Sequence, residues 1–209
     1  HRLADMPHRL SSYGYEVSTG PLVWNRHRAQ LTEDASAARG RPLIWAEAIL
    51  PTGEFRFAAT RRRHVPYVRV DDGQGHLVTR EPCVLVQRTT AKEQHRRLIA
   101  AVLPGAFVRE HGGVVVENHV NIVRRRADLA CDGGCVSLDA LAFLLNSAAV
   151  DRVFRCISGS VAVSAYELAA MPLPAPDVLR ALDAHVRAGA RPEVGEALIA
   201  TAYGLTSHA

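Results

Sequence analysis

The sequence predicts an α+β fold: strands from roughly Tyr15 to Val123, then helices that close the domain. Two patterns carry this. Short apolar runs, several alternating and bounded by Gly and Pro turn signals, fill the first two thirds of the chain. From Leu138 onward the apolar residues recur at helical spacing instead. With 209 residues, 48% hydrophobic and 22% charged, the chain can bury a core and is not compositionally disordered.

The elements follow in order. Residues His1 to Tyr13 show no period and read as a linker, so residues 1–14 are expected to lead into a domain of residues 15–174. Tyr15-Glu16-Val17 is a strand and Ser18-Thr19-Gly20-Pro21 a turn. Leu22-Val23-Trp24 is an apolar anchor, followed at once by Asn25-Arg26-His27-Arg28. Pro42 to Leu50 reads as a buried strand, and Phe55 to Ala59 as its hairpin partner across Pro51-Thr52-Gly53-Glu54. Arg61-Arg62-Arg63-His64 then form a loop ahead of Pro66. Tyr67 to Val70 alternates, and Asp71-Asp72-Gly73-Gln74-Gly75 is a turn.

Val84-Leu85-Val86 is a buried strand that delivers Gln87, Arg88, Thr89 and Thr90 at its tip. A basic helix is expected from Ala91 toward Ile99, with Thr90 alternatively its N-cap. Ala106 to Glu110 and Val114 to Val116 are strand candidates around His111-Gly112-Gly113. Glu117-Asn118-His119-Val120-Asn121 follows, then Ile122-Val123 and the triplet Arg124-Arg125-Arg126.

Ser137 caps a helix whose stripe is Leu138, Leu141, Ala142, Leu144 and Leu145, ending at Asn146-Ser147. A basic patch at Arg152, Phe154 and Arg155 precedes the turn Ser158-Gly159-Ser160. The apolar run Val161-Ala162-Val163 and an exit through Pro172 and Pro174 come next. Residues 175–209 form a C-terminal helical segment: one amphipathic helix from Ala175 to Arg187 with Leu179, Leu182 and Val186 on a face, and a last one from Pro192 to about Tyr203.

Charge and polar chemistry point to anions. The formal net charge is +4, and of 25 basic residues only Lys92 is lysine. Arginine offers a planar donor fork that suits phosphates and guanine edges; a GC-rich coding sequence would also favour arginine. Three arginines in a row repel one another unless they face anions. Asn and Gln side chains can pair with adenine in the major groove, although Asn118 and Asn121 at a strand end could equally cap backbone groups, and Trp24 could simply be core.

Cys131 and Cys135 are one residue too far apart for the usual zinc knuckle, and no second pair follows, so no metal and reduced thiols are expected. No run reaches the ~18 apolar residues of a membrane span. The chain opens at His1 without a signal-peptide pattern, as expected of a segment of a longer, soluble, cytoplasmic protein. The ten histidines are scattered, with neither HExxH nor GxSxG.

The stretches VSTGPLVWNRHR, PCVLVQRTTAKEQHRR, VVVENHVNIV and LNS…DRVFRCISGSVAVSAYELAAMPLP, in that order, resemble the C-terminal half of an adenine-specific DNA methyltransferase of type II restriction–modification systems, with a TaqI-like recognition domain. The resemblance spans about Tyr15 to Leu205. It implies a mixed, twisted β-sheet target-recognition domain closed by C-terminal helices, with double-stranded DNA as partner. It also implies an N-terminal methyltransferase domain of the same chain that holds S-adenosylmethionine and receives an adenine flipped from the stack. The family's Asn- or Asp-Pro-Pro-aromatic motif and its glycine-rich cofactor turn are absent here, so no catalytic residue and no cofactor are expected in this segment.

The DNA-facing candidates are Asn25, Arg26, His27, Arg28, Arg61, Arg62, Arg63, His64, Gln87, Arg88, Thr89, Thr90, Asn118, His119, Asn121, Arg152, Arg155, Ser158 and Ser160. A recognition module like that of type I specificity subunits, or a protein-interaction domain with no DNA role, are the alternatives. A hydrolase acting alone is a further one.

Overall fold

Short runs rich in valine, leucine and isoleucine make strands, and the computed structural model places nine of them among the residues it describes: 3, 5–37, 39–89, 96–126, 136–158, 160 and 162–205. In chain order they are β1 (Tyr15–Thr19), β2 (Leu31–Thr32), β3 (Gly40–Ile44), β4 (Tyr67–Arg69), β5 (Val78–Thr79), β6 (Cys83–Gln87), β7 (Ala100–Leu103), β8 (Val114–Val116) and β9 (Val120–Arg125). The helices are α1 (Gly105–Glu110), α2 (Leu138–Asn146), α3 (Ala148–Ile157), α4 (Ala165–Ala170), α5 (Pro176–Arg187) and α6 (Pro192–Ala202). The fold is α+β, as the sequence predicts.

The strands form two sheets. One is antiparallel in the order β1-β9-β6-β7, and the other has the order β2-β4-β3-β8-β5. The second is mixed because β3 and β8 run parallel, with Leu43 opposite Val115 and Ile44 opposite Val116.

Side-chain alternation makes β6 serve two cores. Val84 and Val86 pack with Leu141, Leu144, Leu145 and Phe154 of the helices. Cys83 and Leu85 point the other way, to Ile44, Val114 and Val116 of the second sheet. The antiparallel sheet is therefore covered on both faces, giving three layers: helices, sheet, sheet. A smaller core of Leu22, Leu43, Trp45, Val68, Leu77 and Val115 closes the outer face of the second sheet.

The helices begin where the sequence provides caps. Ser137 Oγ accepts from Ala140 N at 3.2 Å to start α2. Ser147 ends α2 and caps α3, accepting from Val150 N at 3.2 Å. Ser164 and Glu167 form a capping box on α4. The helical layer is sewn to both chain ends of the domain: the Tyr13 hydroxyl donates to the Pro174 carbonyl, Tyr203 Oη donates to Pro172 O at 2.8 Å, and His8 pairs with Leu173. Leu179, Leu182, Ile199 and Tyr203 share the core of the antiparallel sheet.

Several local expectations change. Ala106–Glu110 is not a strand but part of α1: Pro104 sits comfortably ahead of a first helical turn, and Val108 N bonds back to Pro104 O at 3.1 Å. The run PLIWAEAIL leaves the sheet at Ile44 and turns through a 3-10 segment, Ala46–Ala48. Phe55 makes a single bridge to Ile49, and residues 56–59 are not a strand. The expected basic helix falls largely on residues 90–95, outside the described residues. At 97 and 98 the backbone is not helical, because Arg97 N and Leu98 N both donate to Asp151 Oδ1. Val161 also lies outside, while Ala162 contributes one bridge to Thr89. Strand β7, two small residues followed by Val-Leu, was not anticipated, although Pro104-Gly105 marks its end. No helix among the described residues is long and apolar enough to cross a membrane.

Candidate nucleic-acid interface

One end of the two sheets gathers most of the polar candidates. Here β3, β8 and β6 finish, β1 finishes opposite Asn121, and β9 starts. The turn 117–119 carries the chain from the second sheet to the first. Glu117 N donates to Ile44 O at 3.0 Å, Asn118 N to Leu22 O at 2.9 Å, and Arg88 N to His119 O at 2.8 Å. Val163 N donates to Arg88 O at 2.7 Å. The segments that follow β1, β3 and β6 thus meet the turn and residues 162–163 at one rim.

Two basic loops rise from this rim on an aromatic base. Trp45, 1% exposed, stacks on His64 with ring centroids 3.8 Å apart and meets Trp24 edge-on at 6.3 Å. Arg28 lies over the Trp24 ring at 5.1 Å. Glu47 ties the second loop down: it pairs with Arg61 Nε at 3.1 Å and His64 Nδ1 at 3.0 Å, and accepts from the backbone N–H of Thr60 and Arg61. The loops 24–28 and 61–64 are therefore neighbours. Asn25, Arg26, Arg62 and Arg63 are exposed on them, and none has a side-chain hydrogen bond or ionic partner among the described residues. His27 Nδ1 is 2.7 Å from Gln30 Oε1.

The strand tips divide the amide candidates. Gln87 is buried, and its amide donates to Ala46 O at 3.1 Å and Ile49 O at 2.8 Å. Asn121 is fully buried and donates to Val163 O at 2.7 Å. Both sit under the rim, as braces between layers, and neither amide reaches the surface. Arg88 is half-buried with Nη1 on Asn118 O at 3.1 Å, while Thr89 is exposed. Thr90 lies outside the described residues. His119 is exposed and Asn118 half-buried, with its enclosed Oδ1 lacking a hydrogen-bond partner.

The end of α3 is separately organised. Arg152 is exposed and Arg155 pairs with Asp151 at 2.7 Å. Asp151 is buried and spans from α3 to the entry of β7. Ser158 is buried and donates to Glu167 Oε1 at 2.8 Å, while Ser160, exposed, accepts from Ala162 N at 3.1 Å. The hydroxyls of Ser164 and Ser158 hold the Glu167 carboxyl below the usual carboxylate range. Ser158 and Ser164 thus meet on the Glu167 carboxylate, and of the two serine candidates Ser160 is the exposed one.

Sequence reasoning did not single out Glu47, Trp45 or Glu117, the groups that hold the rim. The two glutamates carried a signal, each being an acid in or at the end of an apolar run, PLIWAEAIL and VVVE. Cys131 and Cys135 lie outside the described residues. Among the described residues no group of His, Cys, Asp and Glu has the makings of a metal site.

Two curated relatives are similar over 83% of this chain. The type II methyltransferase M.BsuBI of Bacillus subtilis is 28% identical over 173 residues. The type II methyltransferase M.PstI of Providencia stuartii is 26% identical over 178 residues. The chain spans about a third of the length of each, 33% in both cases. No family model matches.

Proposed function

We propose that the chain is the double-stranded DNA recognition part of a site-specific, N6-adenine DNA methyltransferase of a restriction–modification system. It acts in the cytoplasm, joined in one polypeptide to the catalytic domain. The observation that carries this reading is the rim: Arg26, Arg62 and Arg63, exposed and without partners among the described residues, on two adjoining loops beside the turn of Asn118 and the exposed His119, in a chain similar to one third of two type II methyltransferases. Arg26, Arg62 and Arg63 suit phosphates, which position a duplex; Asn25 and Asn118 suit base edges, which specify it.

S-adenosylmethionine binding and methyl transfer are assigned to the remainder of the longer protein, because this sequence carries neither the Asn- or Asp-Pro-Pro-aromatic motif nor a glycine-rich cofactor turn.

Fluorescence titration of the purified chain with duplex DNA at several salt concentrations tests the reading. Binding that weakens steeply with salt is expected. Absence of binding at low salt, or binding indifferent to salt, removes it.

A further inference from the structure

We propose that Glu117-Asn118-His119 is the base-reading element of the rim, and that Glu117 is the positioning residue that aims His119 at a purine edge. The inference rests on the duplex reading above and assigns the division of labour within it.

The backbone of this turn is locked at every polar group. Glu117 N donates to Ile44 O and Glu117 O accepts from Val120 N, both at 3.0 Å. Asn118 N donates to Leu22 O at 2.9 Å, and Asn118 O accepts from Arg88 Nη1 at 3.1 Å. His119 N donates to Glu117 Oε2 and His119 O accepts from Arg88 N, both at 2.8 Å. Gly20 presses on the turn from the β1 side: a Cβ there would lie 2.2 Å from Glu117 O, so only glycine allows the approach.

The side chains behave differently from the backbone. The Glu117 carboxylate has no solvent exposure and lies 2.9 and 2.8 Å from His119 Nδ1. Nδ1 is thereby engaged inward, and the opposite ring edge, with Nε2, is presented away from the carboxylate on a side chain that is 50% exposed. Asn118 is half-buried: its amide oxygen is enclosed, which leaves the amine as the group that can meet a base. A purine edge offers N7 to that amine, with His119 Nε2 on the neighbouring base. A rigid backbone carrying an oriented imidazole and an open amide amine is a preorganised reader, since little freedom is lost on contact.

The test begins by selecting a preferred site from a randomised duplex pool with the intact chain. Parent and variants are then titrated on the selected and a scrambled duplex across salt concentrations. His119→Ala and Asn118→Ala should each narrow the preference roughly five- to tenfold and leave the salt slope unchanged. Glu117→Gln should lose part of that preference, and Glu117→Gln combined with His119→Ala should lose no more than His119→Ala alone, because the carboxylate acts through the ring. A purely structural Glu117 would lower stability without that coupling. If Glu117→Gln does not fold, the two surface variants still decide. Unchanged preference in both, or a salt slope reduced by about one with preference kept, overturns the inference, the latter making His119 a phosphate contact. A parent that binds duplexes without any preference also overturns it alone. A parent that binds no duplex overturns the duplex reading and this inference together.

Discussion

Gln87 and Asn118 carry the same functional group and have opposite fates. The Gln87 amide donates to two carbonyls at the exit of β3, at 3.1 and 2.8 Å, so its removal leaves buried acceptors unpaired. Gln87→Met should cost about 1–3 kcal/mol in urea unfolding and leave any DNA preference intact, a pairing of outcomes that base-reading residues cannot give. Glu167 is a second residue-scale case. Its carboxyl is held below the ordinary 4.5 by the Ser164 and Ser158 hydroxyls. A depressed folded-state value means the contribution is present above the unfolded value and lost as pH falls through the folded one. Ser164→Ala should therefore raise the Glu167 titration toward the ordinary range, read by carboxyl NMR. It should also cost about 0.5–2 kcal/mol through the lost cap of α4.

At the scale of elements, the arginine triplet is a loop with a floor. Arg61 is anchored to Glu47 at 3.1 Å while Arg62 and Arg63 are exposed and unpaired among the described residues. If Arg62 meets a phosphate, Arg62→Ala should lower the slope of log affinity against log salt by about one and weaken selected and scrambled duplexes alike. An unchanged slope makes the triplet a solvated loop. The existence of this loop was legible, since three adjacent arginines ahead of a proline leave little else. Its neighbour was not: loop 24–28 comes alongside only because Trp24 and His64 both pack on Trp45. The error at Ala106–Glu110 has a local cause as well. A short apolar run after a proline satisfies either period, and the packing of Phe107 on Phe55, at 5.3 Å between rings, decides for the helix.

At the scale of the whole molecule, three phenols fasten the layers. Tyr13 and Tyr203 reach the segment between α4 and α5 at Pro174 and Pro172, and Tyr15 donates to Val136 O at 2.6 Å. Burial pushes all three upward from the ordinary 10.0, Tyr13 to about 12. A raised folded-state value places the stabilising contribution below the unfolded value and removes it as pH climbs toward the folded one. Thermal midpoints should thus hold to about pH 10 and fall between there and about pH 12, in step with the ultraviolet signal of tyrosine ionisation. Tyr203→Phe should soften that fall and lower stability by about 0.5–1.5 kcal/mol. A fall that sets in well below pH 10 would point to other groups.

By itself the sequence determined the class of fold, the main strands and the last helices, because apolar period and caps such as Ser137 and Ser164 act over a few neighbouring residues. It also placed the basic loops, since charge has nowhere to go but outward. Which amides are absorbed into the core and which stay at the surface was decided only by the tertiary structure. Strand β6 is buried on both faces and along its whole length, so a polar residue at its tip has no face that alternation marks as wet. Whether Gln87 emerges or is absorbed depends on where β3 turns at Trp45, and whether Asn118 is left over depends on Leu22 and Arg88 taking its backbone. Those partners are 30 to 96 residues away in the chain, beyond the reach of any local pattern.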